Sequence, residues 1–275
     1  RRFWRGDPGM TGAFATRICG SEDLFGDMGE TPINSVNLVT SHDGFTLADL
    51  VSYSRRHNEA NGEGNRDGPA ENFSENNGHE GPCDDLEIAA MRDRQIRNFL
   101  VTLLVSRGVP MLLGGDECKR SQGGNSNAWC QDNQASWFDW RLVEDNSGLV
   151  DLVRRLIAFR QAHPVLSAGR FYAPGEITWL GEDGAEPQWQ GMHNLIGCLI
   201  GPAELPGPDR VLLLFNATRE PRSFTLPPES GAWHVAFDTS GRRMALQSLS
   251  CGSVRLPARS TLVLTSIPWM APNLG

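Results

Sequence analysis

The chain has 275 residues, enough for one large or two medium domains, and its 39% hydrophobic and 21% charged content is that of an ordinary globular protein. Twenty-five lysines and arginines against 33 aspartates and glutamates give a net charge of −8, which argues against a general affinity for nucleic acid or an anionic membrane. No apolar run approaches the roughly eighteen residues of a membrane span and no signal peptide precedes the first motif, so a cytoplasmic protein is expected. The six cysteines, at 19, 83, 118, 130, 198 and 251, show no C-x-x-C pair. Reduced thiols are expected, with no metal and no cofactor.

The chain opens on Arg1-Arg2-Phe3-Trp4-Arg5-Gly6-Asp7, without an initiator methionine, and reads as the tail of a helix in a sequence that continues upstream. Asn34 to Gly44 reads as a short buried strand, with strand formers Val36, Leu38 and Val39, that ends by presenting His42 and Asp43 side by side. A histidine and a carboxylate at the carboxyl end of a strand occupy the place where barrel enzymes keep their chemistry. The plain alternative makes Asp43 the N-cap of a helix beginning near Thr46. From His57 to Asp84 runs a loop rich in Asn, Gly and acids. Its length marks it as either functional or disordered, and amide-rich loops suit recognition of hydroxyl groups.

Residues 85–107 place Ile88, Met91, Ile96, Phe99 and Leu103 at helical spacing, and Gly108 ends that helix. Val109 to Leu113 is a second short strand, expected to be buried, that runs into Gly114-Gly115-Asp116-Glu117. Another amphipathic helix is expected at 148–162. Strand, helix, strand, helix in this order points to βα units. After His163-Pro164 the texture changes to short β-like runs, among them Glu176–Leu180, Arg210–Phe215 and Ser260–Thr265, separated by Gly, Pro and Asp turns. A small antiparallel sandwich is expected there.

Five segments follow one another in an order that resembles a known family: Asn37-Leu-Val-Thr-Ser-His-Asp-Gly-Phe-Thr-Leu47, His57-Asn-Glu-Ala-Asn-Gly62 with Asn65-Arg-Asp-Gly68, Pro110-Met-Leu-Leu-Gly-Gly-Asp-Glu117, Gly124-Asn-Ser-Asn-Ala-Trp-Cys-Gln-Asp-Asn133 and Ser136-Trp-Phe-Asp-Trp140. They resemble the second half of a bacterial glycogen debranching enzyme of the isoamylase type, in the alpha-amylase superfamily. The resemblance is dense over 1–165 and looser beyond. It implies an α/β fold, with residues 1–164 as the last part of a (β/α)₈ TIM barrel and 165–275 as a C-terminal antiparallel β-sandwich. It also implies hydrolysis of α-1,6 branch linkages in glycogen or limit dextrin by a retaining, two-carboxylate mechanism.

By that resemblance Asp43 is the carboxylate that stabilises the transition state, and His42 binds sugar hydroxyls beside it. His57, Glu59, Asp116, Asn125, Asn127, Trp129 and Asp132 are expected to contact or shape the substrate site, with Asp116 acting from behind. A loop hydrogen-bonding role is the plain alternative for each amide. Trp137 and Trp140 are expected in the core. No stretch resembles the family's nucleophilic aspartate or acid glutamate, so both are expected upstream and the chain alone is expected to be inactive. The branched α-glucan is the expected partner. Other activities remain open: pullulanase, trehalohydrolase or branching enzyme on the same barrel, a metal-dependent hydrolase using His42, Asp43, His57 and Asp116, and a non-catalytic glucan-binding module using Trp179, Trp189 and Trp233.

Overall fold

The computed structural model describes residues 1–191, 193–201, 210–228, 231–250 and 252–271. In chain order the helices are α1 Arg2–Arg5, α2 Thr11–Ile18, α3 Glu22–Phe25, α4 Leu47–Leu50, α5 Leu86–Val105, α6 Arg141–Asp145, α7 Ser147–Ala162 and α8 Pro164–Ser167. The strands are β1 Val36–Leu38, β2 Val109–Met111, β3 Ile177–Leu180, β4 Leu195–Ile200, β5 Val211–Asn216, β6 Arg222–Thr225, β7 Trp233–Asp238, β8 Ser248–Leu249, β9 Ser253–Leu256 and β10 Ser260–Thr265. Two compact units emerge. One comprises Arg1, Leu38–Leu100 and Pro110–Arg154; the other comprises Arg2–Asn37, Val101–Val109 and Arg155–Gly275.

The second unit is built on a six-stranded antiparallel sheet in the order β3-β4-β5-β10-β7-β8, with β6 and β9 forming a separate antiparallel pair. One face of the large sheet, through Leu212, Leu214, Leu262 and Leu264, shares an apolar core with Phe224, Val254 and Leu256 of the small one. The opposite face is covered by helices: Phe215 meets the rings of Trp4 and Phe14, and Phe237 meets that of Phe159. Burial on both faces explains why β5 and β10 carry the unbroken apolar runs Val211–Phe215 and Leu262–Leu264 rather than an alternating pattern. It also explains why the compact units do not follow a cut at residue 164, since α1 and α2 pack on strands some 200 positions later. The end of α5 is closed in the same unit by Arg160, whose guanidinium donates to the carbonyls of Leu104 (3.0 Å), Ser106 (2.6 Å) and Gly108 (2.6 Å). These are carbonyls that a helix end leaves without partners.

The strands β1 and β2 form a two-stranded sheet. Both were expected to be buried, and neither is. Val36, Leu38, Val109 and Met111 are 54%, 47%, 41% and 38% exposed. Apolar runs of this kind are written for strands covered on both faces, and the described residues supply no such cover here. Trp233 is the reverse case: the binding-module reading needs it exposed, yet it is fully buried on β7 and its indole N–H donates to the Pro227 carbonyl at 3.0 Å. Cys19, Cys83, Cys118, Cys130 and Cys198 are free thiols, and Cys251 lies outside the described residues. No helix among the described residues is long and apolar enough to cross a membrane.

Gly197 of β4 lies opposite Leu180 and Leu214, and a Cβ there would meet Leu214 Cδ2 at 2.9 Å and Leu180 Cβ at 3.3 Å. Gly197→Ala is expected to destabilise the chain by about 1–3 kcal/mol through overpacking. Urea unfolding measures this, and a midpoint equal to the parent's would show that the sheet can shift to make room.

Candidate active site

The segment that follows β1, Thr40 to Phe45, is pinned at three points. The Thr40 hydroxyl donates to Asp116 Oδ2. The Gly44 amide donates to the Ser126 carbonyl at 2.9 Å, and the Phe45 amide to Asn72 Oδ1 at 3.1 Å. Gly44 has a φ of +97°, and a Cβ there would meet Asn72 Oδ1 at 2.9 Å, so the turn requires glycine twice over. Between these anchors the side chains of His42 and Asp43 are 89% and 70% exposed, with Nε2 and Oδ2 3.5 Å apart. Asp43 does not cap the next helix. That role falls to Thr46, whose hydroxyl accepts the Asp49 N–H at 3.2 Å.

Asp116, at the turn that follows β2, is the brace beneath this segment. It is only 1% exposed, and its Oδ1 accepts the N–H of Leu47, the first residue of α4, at 2.8 Å. Burial pushes its carboxyl up to about 6, against the opposing pull of the bonds from Thr40 and Leu47. With both oxygens engaged and almost no surface open to solvent, Asp116 holds the segment from inside. Arg1 adds a second tie, donating to the carbonyls of Val39 at 2.6 Å and Asn72 at 2.9 Å.

The 122–127 turn connects this segment to the amide-rich loop. Its Gly124 carbonyl accepts the His57 amide at 2.8 Å, while its Ser126 carbonyl holds Gly44. Asp49, fully buried on α4, fixes the same turn by accepting from the Gln122 amide at 2.8 Å and from the Ser121 hydroxyl. Burial raises the Asp49 carboxyl, and those bonds pull it back. The His57 ring lies 3.0 Å, Nε2 to Oε1, from Glu80, and its edge faces Tyr53 at 5.3 Å. Glu80 also accepts the Ser54 and Arg55 amides at 2.9 and 3.3 Å and the Asn76 amide group at 3.0 Å. Burial pushes its carboxyl up, but these bonds outweigh that and bring it to about 2. Sequence reasoning passed over Glu80, because no motif announces a carboxylate whose partners are largely backbone amides about 25 residues upstream.

The loop itself is ordered by its amides rather than left to solvent. Asn61 Nδ2 donates to Asp67 Oδ2 at 2.7 Å and to the Asn127 carbonyl at 3.0 Å. Asn125 Nδ2 donates to Asn61 Oδ1 at 2.8 Å, and Asn127 Nδ2 to Asp67 Oδ2 at 2.9 Å. Fully buried Asn58 accepts the Ser126 amide at 2.8 Å and donates to the Asp67 carbonyl at 2.9 Å. Asn125, 4% exposed, is engaged in this network. Glu59 and Asp132 are exposed, Asp132 accepting the Trp137 indole N–H at 3.0 Å. Trp129 is 83% exposed. So are Trp137 at 59% and Trp140 at 75%, contrary to the expected core positions. Polar anchoring of the 124–140 segment leaves its rings outward. Among the described residues no group of three or more His, Cys, Asp or Glu is arranged to hold a metal ion.

No family model matches the chain. It is 42% identical, over 96% of its length and 40% of the relative's, to the glycogen operon protein GlgX homolog of Mycobacterium tuberculosis. It is 45% identical to the glycogen debranching enzyme of Serratia proteamaculans, over 86% of this chain and 35% of that one. The chain is homologous to the bacterial glycogen debranching enzymes. It spans about 40% or less of the length of these curated relatives. Among solved structures, 96% of the chain superposes on pullulanases from Bacillus acidopullulyticus (TM-score 0.67, 23% identity, 27% of that chain) and Bacillus subtilis (TM-score 0.68, 21% identity, 32% of that chain). The fold is thus that of a stretch of these pullulanases, a mixed α/β part followed in sequence by an antiparallel β-sandwich. The sequence motifs that drew attention to Thr40–Phe45, 57–68 and 124–140 are the segments that the hydrogen bonds tie together here.

Asp116 titrates near 6 in the folded chain against 3.8 ordinarily, so between about pH 4 and 6 the folded state binds more protons than the unfolded one. Its contribution to stability is fullest below about pH 4 and is lost as the pH rises through about 6. Asp116→Asn keeps an acceptor for the Leu47 N–H and is expected to flatten the change in urea midpoint across that window; an unaltered slope would mean that another group titrates there. Asn58→Ala leaves the buried Ser126 amide without its acceptor and is expected to cost about 1–3 kcal/mol in the same assay.

Proposed function

We propose that this chain belongs to a cytoplasmic enzyme that hydrolyses α-1,6 branch linkages in glycogen or limit dextrin by a retaining mechanism. The observation that carries the reading is the exposed His42–Asp43 pair at the carboxyl end of β1, held by the Asp116 brace. The homology to debranching enzymes supplies the reaction class. On this reading residues 1–164 belong to the last part of the barrel and 165–275 to the sandwich. The uncovered apolar side chains of β1 and β2 are what strands of a larger barrel would show.

Asp43 acts as the carboxylate that stabilises positive charge growing on the anomeric carbon. A carboxylate bound to ring hydroxyls strengthens those bonds as the charge develops, which lowers the barrier rather than merely tightening binding. His42 donates to the same ring. The Trp129 indole offers an apolar face for a pyranose. Glu59, Asn127 and Asp132, with His57 set by Glu80, line the approach of the branched α-glucan. Asp116 and Asn125 act through the segments they hold. The nucleophile and the general acid are assigned to no residue of this chain.

The test is reducing-sugar release from phosphorylase limit dextrin by a protein extended upstream of Arg1 to a start codon. Asp43→Asn in that protein is expected to lower kcat by about 10²–10³-fold. Activity on pullulan exceeding that on limit dextrin would favour pullulanase specificity, and full activity of Asp43→Asn would remove Asp43 from the chemistry.

A further inference from the structure

The second unit carries an open cleft of about 670 Å³, lined by Trp179 and Trp189 together with Glu22, Asp23 and Asp27. The two indoles stand edge to face, their centroids 5.7 Å apart and their planes at 80°. Both are half-buried, so each ring is held while part of it remains accessible. Trp189 spends its N–H on Glu186 Oε1 at 3.1 Å, which leaves its carbon framework as what the cleft offers. Of the lining acids, Asp23 is paired with Arg17, whereas Glu22 and Asp27 are exposed. Gly12 also lines the cleft, with no atom within 4 Å of the place a Cβ would take.

This combination selects a ligand with an apolar face and a rim of hydroxyl donors. A pyranose has both: its C–H face packs on an indole, and its hydroxyls donate to carboxylates. The volume falls within the roughly 300–1,000 Å³ usual for small-ligand sites. We propose that this cleft is a second binding site for a linear α-glucan chain, built from residues other than those of the His42–Asp43 segment. The choice of a glucan among carbohydrates rests on the proposed function above; the pairing of rings with carboxylates stands on the structure alone. Its role is to retain the polymer while branch points are worked on elsewhere.

Calorimetric titration of the upstream-extended protein with maltoheptaose tests this. Two classes of site are expected in the parent, and Trp179→Ala or Trp189→Ala is expected to weaken one of them about tenfold, the loss of one stacking contact. Trp179→Phe, which keeps a ring, and the exposed double variant Glu22→Gln with Asp27→Asn guard against misfolding. The former should retain the site and the latter weaken it at an unaltered thermal midpoint. Turnover of a short branched oligosaccharide should be the same in all four, while retention on glycogen gels falls in the alanine variants. Parental maltoheptaose binding in both alanine variants, or displacement by tetramethylammonium, which would mark a cation site, overturns the proposal. Weakening of one site class by the alanine substitutions, in a parent protein that shows no debranching activity, would overturn the proposed function and leave this site standing.

Discussion

One buried carboxylate fixes the geometry on which the site depends. Asp116 accepts the Thr40 hydroxyl with one oxygen and the Leu47 N–H with the other. It thereby locks the turn after β2 to both ends of the segment that displays His42 and Asp43. Placing a carboxylate where only 1% of the residue reaches solvent costs free energy, and its raised titration point records that cost. The cost is offset by hydrogen bonds that a neutral side chain of similar size would not make in the same pattern. Rigidity is the return: in the proposed role for Asp43, a group that stabilises charge in a transition state works best when it need not be reoriented during the reaction.

Around this brace the chain uses amides and carboxylates where a soluble core would use hydrocarbon. Asp49, Asn58, Asn61, Asp67, Asn125 and Asn127 hold the 57–68 and 122–127 segments through their side chains. Arg92 of α5 closes the lower part of the loop by donating to the carbonyls of Gly81 at 2.7 Å and Asn76 at 3.0 Å. Such networks are directional, so a segment with little apolar content still adopts one conformation. The second unit follows the other strategy. Its sheet is covered on both sides by apolar layers.

Much of this was legible from sequence where one physical signal dominates. The apolar runs of β5 and β10 and the helical spacing in α5 and α7 appear close to where they were expected, because burial on a sheet or along a helix face leaves a strong periodic trace. The packing of Trp4 and Phe14 against the sheet left no trace, since contacts across 200 positions have no period. Burial of individual polar groups was also hidden. Asp116 and Glu59 are both acids in polar segments, and only the fold makes one internal and the other exposed. The tryptophans show the same limit: Trp233 is buried by its inward register on β7, while Trp137 and Trp140 are exposed despite their apolar area.

The central claim is that Thr40 and Asp116 serve catalysis only by positioning Asp43. A double-mutant cycle in the upstream-extended protein tests it most directly, comparing kcat on limit dextrin for Thr40→Val, Asp43→Asn and the pair. The account predicts that Thr40→Val lowers kcat in the parent and has almost no further effect once Asp43 is asparagine. Equal losses from Thr40→Val in both backgrounds would contradict it, because the brace would then act on catalysis by a route that does not pass through Asp43.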